Sequence, residues 1–179
     1  MFLLALLLAL LGMAGLRLAS ERLYRSNYPK EYAGYVEPYA RQYGIDPHFI
    51  YAVIKTESDF DPSATSPVGA RGLMQIMSDT FDWVRQKSGH SEVVYDDMYD
   101  PEMNIRFGVC LISMLYEEFG SYETTLAAYH AGRGAAGRWL RDGRYSSNGR
   151  TLDEIPIPET NHYVRKVMDC YAMYQELYA

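Results

Sequence analysis

Glu57 stands at the end of an apolar series, Ile50, Val53 and Ile54, whose spacing of three and four residues is that of one face of a helix. The same stepping carries the Glu57 carboxyl onto the face that should be buried. A carboxylate is costly away from water, so such a group either finds a partner or keeps its proton at neutral pH. A carboxylic acid still protonated near pH 7 is what general-acid cleavage of a glycosidic bond requires. The acid is followed by a glycine-punctuated run, ESDFDPSATSPVGARGLMQIM, over 57–77. His48, His90, His130 and His162 are scattered without ligand spacing, so no metal is expected, and no cofactor motif is present.

The elements that must position this acid are helical. The pattern predicts a helix over 31–43 ending at Gly44, then Asp46 as N-cap with Pro47 in the first helical position. Ile45 and Ile50 are placed for a hydrophobic staple across that cap. This second helix runs to about Ser58 and delivers Glu57 in its last turn. Asp61-Pro62, Pro67 and Gly69 make 59–71 a loop, followed by a short helix over 72–77 and another over 78–87. Asp100-Pro101 repeats the cap-plus-proline signal. Ile105, Val109, Ile112, Leu115, Tyr116 and Phe119 then trace a long amphipathic helix ended by Gly120. Helices over 122–131 and 134–140 are separated by Gly132. A polar loop over 142–158 leads to a last helix over 160–178. The expected fold is all-α, with little or no sheet.

The chain's 179 residues, with 48% hydrophobic and 22% charged, allow one domain with a real core and argue against disorder. A net charge of −6 argues against a nucleic-acid partner, which wants a basic face. The 17 tyrosines either line a cleft for flat sugar faces or pack with their hydroxyls at the surface. Cys110 and Cys170 fall in predicted helices and read as two buried thiols, with a single bridge as the alternative.

Residues 1–16 are continuously apolar or glycine, and Arg17 is the first charge. This segment, 1–19, reads as an uncleaved membrane anchor. The alternative is a signal peptide with Gly12-Met13-Ala14 as its small-residue cleavage site. Arg17, Arg22 and Arg25 follow the apolar run, which on the positive-inside rule favours a cytoplasmic C-terminal part. The stretch 20–30 reads as a linker, and 31–179 as the catalytic domain.

Four ordered blocks carry a resemblance. They are Glu57-Ser58, then Gly69-Ala70-Arg71-Gly72-Leu73-Met74-Gln75-Ile76-Met77, then Ala128-Tyr129-His130-Ala131-Gly132. The fourth is Ile155-Pro156-Ile157-Pro158-Glu159-Thr160-Asn161-His162-Tyr163-Val164. Together they resemble the lysozyme-like domain of the soluble-lytic-transglycosylase family, glycoside hydrolase family 23, over roughly residues 40 to 175. His130 stands where the family usually has Asn, Ser78 where a Pro is frequent, and Asn161 where an Arg is frequent.

The resemblance implies a peptidoglycan lytic transglycosylase, with glycan strands as partner, a monomer without cofactor, lying on the extracytoplasmic side of the membrane or secreted. That side conflicts with the arginines after the apolar run. Glu57 then protonates the leaving oxygen between N-acetylmuramic acid and N-acetylglucosamine. It next acts as base on the muramoyl C6 hydroxyl, which closes a 1,6-anhydro ring. The substrate's own N-acetyl oxygen takes the place of a second carboxylate. Gln75 and Met77 are implied to line the cleft, Ser66 to hydrogen-bond near the acid, and Gly72 to allow close approach of backbone to glycan. Tyr129 is placed to donate to the N-acetyl carbonyl, with His130 beside it. Glu159 orders Ser66, a water or the N-acetyl group, or else sits as a favoured charge at a helix N-terminus. A hydrolytic muramidase and a non-catalytic wall-binding module are the competing readings.

Overall fold

The computed structural model of the protein describes residues 12, 13, 15–17 and 22–179. From residue 33 onward the order is α1 (Ala33–Gln42), α2 (Pro47–Ser58), α3 (Ser78–Ser88), a 3₁₀ helix (Tyr95–Tyr99), α4 (Pro101–Phe119), α5 (Tyr122–Ala131), α6 (Arg133–Leu140) and α7 (Pro158–Tyr178). Among the described residues there is no strand, only isolated bridges joining Thr65 to Arg71 and Arg71 to Ile76. The all-α expectation holds.

Local chemistry sets the helix starts. Asp46 accepts from the backbone N–H of His48 at 2.8 Å with Pro47 next in line, and Asp100 accepts from that of Met103 at 2.9 Å with Pro101 next. Ser121 caps α5 by accepting from the Thr124 N–H at 3.2 Å. α2 is the core helix: Phe49, Ile50, Tyr51, Ala52, Val53 and Ile54 are consecutive and all buried, as suits a helix surrounded by others. It lies along α7, while α4 packs against α1 and α5. Each of its large apolar side chains contributes roughly 2–3 kcal/mol by leaving water. That burial fixes where the last turn of α2, and so Glu57, emerges.

Several boundaries move. The helix expected over 72–77 is instead a tight loop, because Arg71 and Ile76 exchange backbone hydrogen bonds of 3.0 and 3.1 Å across it. Gly72 and Gln75 inside it have φ of +73° and +46°, which no right-handed helix accommodates. The 3₁₀ helix falls in a stretch where no element was expected. Asp97 folds back there to accept from the Val94 N–H at 2.9 Å. Helix α1 starts two residues later than its sequence pattern, and α7 starts at Pro158 rather than residue 160.

The end of the 20–30 stretch is tied to the domain: Tyr174 donates to the Pro29 carbonyl at 2.7 Å and Tyr178 to the Tyr28 carbonyl at 2.8 Å. Residues 1–11, 14, 18 and 19 of the expected anchor, and 20 and 21 of the expected linker, lie outside the described residues. Among the described residues no helix is long and apolar enough to cross a membrane. Cys110 and Cys170 are both buried and free.

Candidate active site

Glu57 leaves the last turn of α2 half-buried, and Tyr163 of α7 donates its hydroxyl to Glu57 Oε1 at 2.7 Å. Burial pushes the Glu57 carboxyl up to about 7, while the Tyr163 hydrogen bond and the Lys166 charge pull it down. Desolvation wins, and the side chain titrates near neutrality rather than in the usual carboxylate range. Tyr163 and Tyr129 are driven well above the ordinary phenol range, first by burial and then by the charge of Glu57. Both therefore stay neutral donors beside the acid.

The carboxyl borders a groove of about 810 Å³, within the range of ligand-binding clefts. One wall is the end of α2 and the other is a stripe of α7 bearing Lys166, Cys170 and Met173. Ser66 and Gln75 from the glycine-rich loop line it as well.

The loop is pinned from behind. Ser58, the residue after the acid, donates to the Leu73 carbonyl at 2.8 Å. Asn104, fully buried on α4, accepts from the Met74 N–H at 2.8 Å and donates to the carbonyls of Met98 at 2.7 Å and Arg71 at 2.9 Å. The loop approaches so closely that a Cβ on Gly72 would fall 2.1 Å from the Met98 oxygen and 2.3 Å from Asn104 Nδ2. Gln75, at positive φ, directs its amide to the carbonyls of Ala64 at 3.1 Å and Gly72 at 2.8 Å. That backbone geometry costs a non-glycine residue roughly 1–2 kcal/mol, which the surrounding hydrogen bonds offset. Ser66 accepts from the Ala70 N–H at 3.0 Å and so closes its own turn.

Of the residues singled out from sequence, the structure brings Glu57, Ser66 and Gln75 to one groove, and Gly72 shapes the loop beneath. Tyr129 lies beside Glu57 but gives its hydroxyl to the Met74 carbonyl. It borders a smaller hollow of about 320 Å³ with Trp83 and Arg133. Met77, His130 and Glu159 do not line the main groove. Met77 precedes α3 and is 40% exposed, and Glu159 is exposed in the first turn of α7. His130 lays its ring 4.6 Å from that of Tyr163 and places Nδ1 3.0 Å from the Thr160 hydroxyl.

The sequence reading missed Tyr163, Asn104 and Lys166. Tyr163 sits inside the fourth block, where only Glu159 was singled out. Asn104 had a clear signal, being a polar member of the otherwise apolar stripe continued by Phe107, Gly108 and Leu111. Lys166 is one step past Tyr163 on the same face of α7. Among the described residues no three His, Cys, Asp or Glu side chains are grouped to hold a metal ion.

A helical domain with an acid at the end of its core helix, opening on a groove bordered by a glycine-rich loop, has the layout of one known class. The family model of the transglycosylase SLT domain matches residues 34–150, and the chain belongs to this family. It is 33% identical over 155 residues to the soluble lytic murein transglycosylase of Escherichia coli K12, covering 83% of this chain and 23% of that protein. It is 29% identical over 167 residues to the membrane-bound lytic murein transglycosylase C of Sodalis glossinidius, covering 81% of this chain and 47% of that one.

Among solved structures, an inactive glutamate-to-glutamine mutant of lytic transglycosylase Slt from Pseudomonas aeruginosa superposes with a TM-score of 0.73 at 30% identity, covering 83% of this chain and 24% of that one. The 70 kDa soluble lytic transglycosylase of Escherichia coli gives a TM-score of 0.76 at 28% identity, covering 86% of this chain and 25% of that one. The chain thus spans about a quarter of the length of the soluble relatives it matches.

Proposed function

We propose that this domain is a peptidoglycan lytic transglycosylase in which Glu57 serves as general acid and then as general base. The observation that carries the reading is the Glu57 carboxyl, lifted to about 7 by burial and facing the groove beside Tyr163. Protonated, it donates to the glycosidic oxygen between N-acetylmuramic acid and N-acetylglucosamine. Ionised after that transfer, it takes the proton of the muramoyl C6 hydroxyl, whose oxygen bonds to C1 and closes the 1,6-anhydro ring. The acid ends protonated again, and no water is consumed.

A second carboxylate would be needed for a protein nucleophile. The near candidate, Asp59, is 74% exposed and ion-paired with Lys55, so the N-acetyl oxygen of the substrate is the better partner for the developing positive charge. The membership of the SLT family and the murein-cleaving names of its relatives support the substrate class. We place the domain on the extracytoplasmic side, tethered by the apolar run of residues 1–16, or secreted after its removal. A membrane-bound relative supports the tether. Mass spectrometry of digested cell wall tests the activity: 1,6-anhydromuramic ends are expected, whereas reducing ends would assign a hydrolytic muramidase.

A further inference from the structure

The groove carries two cations with different surroundings. Lys55, on α2, gives its ammonium to Asp59. Lys166, on α7, lines the same groove, and among the described residues no carboxylate lies within ion-pairing distance of it. Asp169 borders the groove one turn further on without pairing to it. Tyr163, Lys166, Cys170 and Met173 follow one another at intervals of three and four residues, so a single stripe of α7 runs from the phenol that touches Glu57 along the groove wall. An ammonium with no ion pair of its own therefore stands on the wall, near enough to the acid for its charge to be felt there.

The neutral sugar rings of a murein strand offer such a cation hydroxyl and carbonyl acceptors but no opposite charge. N-acetylglucosamine is uncharged, and the negative charge belongs to the muramoyl arm. That charge is a free lactyl carboxylate or, when a stem peptide is attached, the carboxylates of the peptide. A flexible four-carbon stem lets an ammonium follow a group of this kind and make a charge-assisted hydrogen bond to it. We propose that Lys166 is a specificity-determining residue that binds a carboxylate carried on the muramoyl arm of the bound strand. This rests on the murein reading given above.

The test compares wild type with Lys166→Met, which keeps the apolar stem but removes the charge, and with Lys166→Arg. Arg165→Ala, at an exposed neighbour outside the groove lining, is the control for general surface charge. Two substrates are used, strands with stem peptides and strands stripped of them by an amidase, each native and with its carboxylates chemically amidated. Turnover and KM are measured at roughly pH 6, where the acid stays protonated. In wild type the native form should show a KM about fivefold below the amidated form, consistent with one partly exposed charged contact. That preference should vanish in Lys166→Met, return in Lys166→Arg and persist in Arg165→Ala. Loss on stem-bearing strands identifies the peptide as the source, and loss on stripped strands the lactyl group. An equal native-to-amidated ratio in wild type and Lys166→Met on both substrates overturns the inference and leaves the murein reading intact. Absence of cleavage of every strand by wild type removes both.

Discussion

The hydroxyl of Tyr163 lies 2.7 Å from Oε1 of Glu57, joining the last turn of α2 to the second turn of α7. The contact stabilises the ionised acid, whereas burial stabilises the neutral one. Tyr163→Phe should therefore raise the pKa of Glu57 further and move the alkaline limb of the pH–rate profile upward by about one unit, with a loss of turnover of roughly tenfold as the carboxyl loses its orientation. An unmoved limb would show that the hydrogen bond does not act on the acid.

The same balance predicts the pH dependence of the proposed cleavage by wild type. The proposed mechanism requires the acid protonated at the start, and burial lifts its carboxyl to about 7. Activity should hold below that value and fall about tenfold per pH unit above it. A pH series of kcat/KM on soluble muropeptide strands checks this. A limb near the ordinary carboxylate range, about 4 to 5, would contradict it.

Stability follows with a definite sign. Glu57 is raised in the folded state, from 4.5 to about 7, so its contribution is fully present below the unfolded value and is lost as pH rises through the folded one. A Glu57→Gln protein has no such loss. Relative to wild type it should gain on the order of 1–3 kcal/mol between pH 4 and pH 8, read as a growing difference in Tm.

Gly72 is expected to be irreplaceable for packing reasons. Alanine there needs φ near +73° and sets its methyl against the Met98 carbonyl and the Asn104 amide. Gly72→Ala should cost about 3 kcal/mol, and Asn104→Leu a similar amount by freeing a backbone N–H and two carbonyls. Thermal denaturation should show each Tm lower by roughly 6–12 °C.

Much of this layout was legible in the residues themselves, because caps and periodicity are local. Asp46-Pro47, Asp100-Pro101 and Gly120 mark helix ends through groups only a few residues apart, and the Ile50, Val53, Ile54 series places Glu57 without knowledge of the fold. The glycine-rich loop was misread as helix over 72–77 because its conformation is set by partners distant in sequence. Asn104 reaches it from α4, and Tyr95 donates to the Gly69 and Ile76 carbonyls at 2.6 and 2.9 Å. Tyr163 and Lys166 escaped for the same reason. Only the packing of α7 on α2 shows that their face of the helix borders the acid.

The central claim is that one side chain, held proton-bearing near neutrality by its burial at the end of α2, breaks the strand. Wild type and Glu57→Gln, both confirmed as folded by circular dichroism, should be incubated with purified cell wall and their products weighed by mass spectrometry. The account predicts muropeptides lighter by one water than hydrolysis would give for wild type, and a fall of at least about a hundredfold in their release for the amide variant. Release at the wild-type rate from a well-folded Glu57→Gln protein would contradict it.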